Sequence, residues 1–299
     1  NTTGGANAAI GYRALYSNTT GASNFAAGRE ALRSNTTGGG NFGMGFFALY
    51  SNVSGSYNIA IGNSALNANT GSGNVAIGNN AGSSNTTGGI TAIGYEALKA
   101  NTTGQGNTAV GNNGLFANTT GQGNTAVGNR AFAGNGNSVA ALGTITGGSG
   151  YTNGTYTNVS LNTNPANYFV VAPIANITVS GGAVTAVSMV SGGTGIAAVT
   201  SLTASAASIG GTGSGFSVAI AAFTEGGNFN TIIGDSAAIT QRRGNANIAI
   251  GAHVALPDTA AGRQINIGNV IFGKGAYDGI SMSSTATSDS RVSIGTNTQ

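Results

Sequence analysis

The chain has 299 residues and a mass of 28.9 kDa, and only 6% of its residues are charged, against roughly 25% in an average globular domain. Ten Lys and Arg against seven Asp and Glu leave a net charge of +3, and Arg242-Arg243 is the one adjacent basic pair, so the clustered stripe of a nucleic-acid binder is missing. The lack of Cys excludes disulfides and thiolate metal sites, the single His253 excludes a histidine-based metal cluster, and no apolar run reaches the roughly 18 residues of a membrane-spanning helix.

Gly, Asn, Thr, Ser and Ala dominate, with 53 Gly, yet Ile, Val, Leu and Phe recur at fixed places, which is a pattern of order rather than disorder. The first copy of a repeat reads NTTGGANAAIGYRALYS, Asn1 to Ser17, and further copies begin at Asn18, Asn35, Asn52, Asn69, Asn85 and Asn101. An eighth copy begins at Asn118 and loses the pattern after Phe132; the spacing is 17 residues, or 16 after Asn69 and Asn85. A unit this short is one coil of a solenoid whose neighbours supply its core. The chain starts within the pattern, and a preceding segment is expected.

An Ile-Gly or Val-Gly pair, such as Ile10-Gly11, Ile61-Gly62 or Val127-Gly128, recurs in six of the eight copies, and two residues before this position lies Ala8, Phe25, Phe42, Ile59, Val75, Thr91, Thr108 or Thr125, with a small residue between. This alternation predicts a short strand whose flanking residues, Thr108 and Thr125 included, turn inward. The Ala-Leu pair four residues later (Ala14-Leu15 and its copies, ending in Ala131-Phe132) predicts a second short strand. The head Asn and a second Asn at Asn7, Asn24, Asn41, Asn58, Asn74, Asn107 and Asn124 are expected to stack as hydrogen-bonded ladders. Gly4, Gly21, Gly38, Gly55, Gly88, Gly104 and Gly121 are expected at positive φ. A single narrow roll would leave the Ala-Leu face bare, and several chains side by side, most simply three, would cover it. The shaft so defined runs over residues 1–143.

The N-x-A-I-G-x-x-A-L pattern resembles the head repeats of trimeric autotransporter adhesins. The longer NTTG form, as in NTTGQGNTAVGNNGLFA, resembles the shafts of phage tail fibres and of chimeric bacterial surface fibres, although the coil length departs from the autotransporter pattern. The resemblance covers about half of the chain. It implies an all-β fold, a parallel β-roll solenoid of 16–17-residue coils in an intertwined homotrimer, on a virion tail fibre or at the cell surface.

Residues 144–224 open a different register and read as an inserted small antiparallel β domain. Strands are expected at Thr155 to Leu161, Tyr168 to Val171 and Phe216 to Ala222, with two more from Ile177 to Val187 joined at Gly181-Gly182. The GSGYT stretch resembles β modules of phage structural proteins. Tyr151, Tyr156, Tyr168 and Phe169 stand among small residues; they are candidate binding residues for a sugar face, with the insert's core or a subunit contact as the alternative.

Residues 225–299 return to the repeat. Gly227 to Ile239 and Gly244 to Leu256 read as two coils, and Ile265-Asn266-Ile267-Gly268 as a third strand of the same kind. This order resembles the part of a phage tail fibre that precedes an endosialidase-type intramolecular chaperone, which implies that such a chaperone once followed and was removed. Seven scattered acids form no close pair, and His253 sits beside Val254 within a coil, so no catalytic set assembles and no cofactor is implied. The expected role is a non-enzymatic trimeric fibre segment that attaches to a host-surface glycan or outer-membrane receptor, without nucleic acid or membrane insertion. A bacterial adhesin is the alternative to a phage fibre; a polysaccharide-degrading tailspike and an ice-binding solenoid are weaker rivals.

Overall fold

The computed structural model describes residues 2–136, 138–162, 172–193, 200–224, 226–239, 244–256, 262–268 and 271–274. Each of the eight N-terminal coils contributes one three-residue strand: β1 Ala8–Ile10, β2 Phe25–Ala27, β3 Phe42–Met44, β4 Ile59–Ile61, β5 Val75–Ile77, β6 Thr91–Ile93, β7 Thr108–Val110 and β8 Thr125–Val127. The insert holds β9 Ser138–Tyr151, β10 Gly154–Ser160, β11 Ile174–Ser180, β12 Ala183–Ser191, β13 Ser201–Leu202 and β14 Gly211–Thr224, with one 3-10 turn at Ala206–Ile209. Then come β15 Thr231–Ile233, β16 Ile248–Ile250, β17 Gln264–Ile267 and β18 Ile271–Lys274.

The solenoid is a single 12-stranded sheet in the order β1 to β8, then β15 to β18. Every pair is parallel and in register until β18, which folds back antiparallel on β17 and covers the last edge. Strand β8 pairs directly with β15, Thr125 opposite Thr231, so the shaft runs on across the insert without a break. With about 4.8 Å per strand, its eleven parallel strands extend for roughly 50 Å.

The strands turn inward by the face opposite to that expected. Their central residues (Ala26, Ala60, Ala76, Ala92, Ala109, Ala126, Ile232 and Ala249) are fully buried, and the flanking residues face out. The interior of one coil is too thin for the larger side chains. It is filled from the opposite wall by Leu32, Leu49, Leu66, Leu98, Leu115 and Phe132, all fully buried. Thr108 and Thr125 lie on the outer, half-exposed face rather than inward.

The Ala-Leu segment is a turn, not a second strand. Leu15, Leu32, Leu49, Leu66, Leu98 and Leu115 take φ between 49° and 53°. A left-handed residue other than Gly costs about 1–2 kcal/mol, and burying a Leu side chain returns about 1.5–3 kcal/mol. Each of these leucines also donates its backbone N–H to the next coil, as in Leu32 N to Ala48 O at 2.9 Å. The turn therefore behaves as a hydrogen-bonded ladder without strand geometry. One chain buries its own Ala-Leu face completely, which removes the expected reason for an oligomer.

Both Asn ladders form. Head residues Asn18, Asn35, Asn52, Asn69, Asn85, Asn101, Asn118 and Asn135 link amide to amide at 2.7–3.3 Å. In the second ladder Asn24, Asn41, Asn58 and Asn74 each donate a backbone N–H to the preceding Asn Oδ1 at 2.9–3.0 Å. It continues through Asn124, Asn230 and Asn247 to Gln264. The glycine of each NTTG turn serves this ladder and is not at positive φ. A Cβ on Gly21 would lie 2.3 Å from Gly38 O and 2.5 Å from Asn18 Oδ1. Positive φ belongs instead to the Ile-Gly glycines, 123° at Gly11 to 138° at Gly78.

Two successive coils, those that begin at Asn69 and Asn85, each depart from the pattern in one place, and the two departures compensate. Gly82 stands where other coils carry Leu, and Ile90 stands where they carry the second Asn. Ile90 is buried, and its Cδ1 lies 3.1 Å from where a Gly82 Cβ would be, so it fills the space the missing Leu leaves.

The insert leaves the shaft between Asn135 and Gly227, which bond to each other: Gly227 N donates to Asn135 Oδ1 at 2.6 Å and Asn135 Nδ2 donates to Gly227 O at 3.1 Å. Its first strand begins at Ser138, inside the stretch assigned to the shaft. Strands β9 and β14, 14 residues each, form an antiparallel ribbon with β13 alongside β14. Strands β10, β11 and β12 form a second antiparallel sheet, with β11 and β12 joined at Gly181 (φ 63°) and Gly182 (φ 77°), as the Gly-Gly pair predicts. The two sheets share one core that includes Leu161, Ile177, Leu202, Ile209 and Val218.

Asn52→Ala should lower shaft stability by about 1–3 kcal/mol, because the buried Asn35 Oδ1 loses its donor, while Gly55 O keeps Asn41 Nδ2 and Asn69 Nδ2 keeps Gly71 O. The exposed Asn63→Ala should change nothing; thermal unfolding followed by circular dichroism separates the two. Gly82→Leu and Ile90→Asn should each cost about 1–3 kcal/mol by overpacking and by a cavity. Their double variant should recover most of that loss, since coil 5, equally short, carries Asn74 at the position of Ile90.

Candidate interaction faces

Because Ala points inward, each strand presents its two flanking residues outward. The residues at the C-terminal end of the strands make one uninterrupted aliphatic ridge: Ile10, Ala27, Met44, Ile61, Ile77, Ile93, Val110, Val127, Ile233, Ile250 and Ile267. Met44, Ile77, Val127 and Ile233 remain 41%, 38%, 37% and 38% exposed, far more than the leucines of the core. The parallel row carries Phe25 and Phe42, stacked at 4.7 Å between centroids, then Ile59 and Val75, then Thr91, Thr108, Thr125 and Thr231. A monomeric protein rarely exposes an apolar strip of this reach, and such strips mark interaction surfaces.

A second set lies on the Ala-Leu turns of the first three coils, which the repeat pattern treats as variable positions. The Arg13 guanidinium sits 5.0 Å and 5.6 Å from the ring centres of Tyr12 and Tyr16, and Arg29 sits 5.4 Å from Phe46. Glu30, buried beside them, has Arg29 at 3.7 Å and Arg33 at 3.5 Å. One acid among three arginines leaves this corner basic. Sequence reasoning overlooked it because no single coil carries the whole set; Tyr12, Arg13 and Tyr16 lie in the first coil, Arg29, Glu30 and Arg33 in the second and Phe46 in the third, and only aligning the turns across coils brings them together.

The insert places its candidate binding residues differently. Tyr151 closes β9 and is 6% exposed, with its Oη accepting from Phe216 N at 3.1 Å. Tyr156, on β10, packs half-buried against the same core and donates its Oη–H to Thr152 O at 2.9 Å. Both rings are thus used by the insert's own packing. Tyr168 and Phe169 lie outside the described residues.

His253 is exposed, with Nε2 3.4 Å from Asp235 Oδ2, and Glu96 pairs with Lys99 at 2.7 Å. Among the described residues no three His, Asp or Glu side chains converge on a point that could hold a metal ion. Among the described residues no helix is long and apolar enough to cross a membrane. No protein-family model, curated protein or solved structure matches this chain.

Proposed function

We propose that the chain is a segment of a non-enzymatic, homotrimeric fibre, carried on a virion tail or a cell exterior, that holds its insert and its tip out toward a glycan or outer-membrane receptor on a host surface. The observation that carries this reading is the aliphatic ridge. It repeats with the coil, at about 4.8 Å, so an occupant that matches it along its length must share that repeat, and a second copy of this chain does. A single ridge with open flanks is best covered where three meet on a common axis, each ridge packing between two others. Since the coils of one chain close a common core and bond to one another through their backbones, the shafts in this assembly lie side by side rather than exchange strands.

Such a shaft works by reach and stiffness. Three tips on one axis bind with avidity beyond any one of them, without a new contact. The repeat resemblance to tail-fibre shafts agrees with this reading, and the ridge supplies a physical reason for assembly that the Ala-Leu face does not.

Light scattering at micromolar concentration should give a mass near three times 28.9 kDa. Ile77→Lys with Val127→Lys, which place charge on the ridge and leave the core untouched, should bring the mass down to that of one chain while coil melting persists. A wild-type chain that is monomeric and melts cooperatively would overturn the proposal.

A further inference from the structure

The Ala-Leu turns form a lateral face of the shaft, separate from the ridge. One position on it runs Tyr16, Arg33, Tyr50, Asn67, Ser83, Lys99 and Phe116 from coil to coil. The companion position three residues earlier runs Arg13, Glu30, Phe47, Ser64, Asn80, Glu96 and Asn113. Long side chains occupy both positions in the third and sixth coils, and short polar ones in the fourth and fifth. The result is a groove of about 700 Å³ lined by Phe47, Tyr50, Ser64, Asn67, Ala68, Asn80, Ser83 and Ser84. That volume lies within the range of small-molecule sites, about 300–1,000 Å³.

The wall on the third coil is held in place. Phe47 meets Tyr50 edge to face at 5.1 Å between centroids. Arg33 lies 5.4 Å from the Tyr50 ring centre and donates from Nη1 to its Oη. The floor is polar and largely unspent. Asn67 uses one amide hydrogen on Phe47 O at 3.3 Å, and Ser64 bonds to Asn63 at 2.9 Å. Asn80, Ser83 and Ser84 make no side-chain hydrogen bond among the described residues, whereas the ladder asparagines are engaged on both sides.

No carboxylate and no cationic side chain lines the groove. The cations at its margins are paired, Arg33 with Glu30 and Lys99 with Glu96. A nucleic-acid strand would need free cations along its path. A ring wall beside amides and hydroxyls suits a ligand with an apolar face and a rim of hydroxyl groups. Free polar groups also recur from coil to coil, a spacing close to the length of one sugar in a linear chain. We infer that this groove binds a neutral pyranose oligosaccharide, one ring against Tyr50 and Phe47 and the next over Asn67, Asn80 and Ser83. This site is on the shaft's flank and does not depend on the fibre assembling through its ridge.

The test is isothermal titration of the folded chain with maltotetraose, cellotetraose, galactotetraose and mannotetraose, with tetragalacturonate as the acidic comparator. At least one neutral probe should bind saturably. Tyr50→Ala should weaken it at least tenfold, and Tyr57→Ala, an exposed ring on another turn, should leave it unchanged. Ser83→Phe guards against misfolding as the cause: the third and seventh coils already carry Tyr50 and Phe116 at that position, so a coil of this kind accepts the ring, which fills the groove and should abolish binding. Failure of all four neutral probes, preference for tetragalacturonate, or binding that survives Ser83→Phe would each overturn the proposal. Ligand binding by a monomer would support the groove while leaving the trimer to fail on its own evidence.

Discussion

The rise of a single strand spacing per coil governs this molecule. At about 4.8 Å each residue lies directly on its counterpart one coil away, and any side chain placed between them has nowhere to go. The glycines that follow each shaft strand show the constraint most sharply. A Cβ on Gly28, Gly45, Gly62, Gly94 or Gly111 would approach the carbonyl oxygen of the next coil's glycine to within 2.2–2.5 Å. No side chain survives that distance, so glycine recurs there for contact as well as for its φ. The same rise brings amides into ladder distance, and a buried Asn becomes favourable because its neighbours above and below satisfy it. A buried Asn in an irregular fold would lack that assurance.

From this constraint follows what the sequence could and could not disclose. Stacking demands that like sit on like, so coil length, strand position and both ladders are visible in the spacing of Asn and of Ile-Gly. The Gly181-Gly182 turn is visible for a local reason, since two successive residues at positive φ select glycine. The direction of the strand's faces was not visible. Alternation marks two faces and leaves open which is inside, and the general preference for burying Ile over Ala points the wrong way here. Interior width decides, and width depends on the opposite wall. That wall is made of leucines in left-handed turns, a conformation that no propensity attributes to Leu. The basic aromatic corner and the groove were hidden because both arise between coils rather than within one.

The same division explains how one shaft can be uniform inside and varied outside. Core positions repeat almost without change, and the exception at Gly82 and Ile90 exchanges two positions together so that the volume is preserved. The turn positions that face solvent range from Tyr and Arg to Ser and Asn without disturbing a ladder. The insert takes this freedom further. It departs at a turn between coils, where Asn135 and Gly227 reproduce the amide and glycine contacts of an ordinary coil, so β8 meets β15 in register. Some ninety residues enter the chain at this point, and the sheet continues as though they were absent.

This arrangement bears on how assembly would proceed. A coil that lacked its own core would have to wind with its partners, and folding and association would be one event. Here the interior closes within one chain, and the ridge lies outside it. The contacts along the ridge would then add to a shaft already formed, with energy growing in proportion to its length. A ridge of Ile and Val on successive strands carries little directional information, however, and two shafts could slip by one coil and still bury nearly the same area. The features that break this translational symmetry are few: the stacked Phe25 and Phe42, the change from aliphatic to Thr after Val75, and the insert itself. Those are the elements that must set the register of one shaft against another. The Phe pair acts at the second and third strands and the insert after the eighth, so a one-coil slip would misplace both at once.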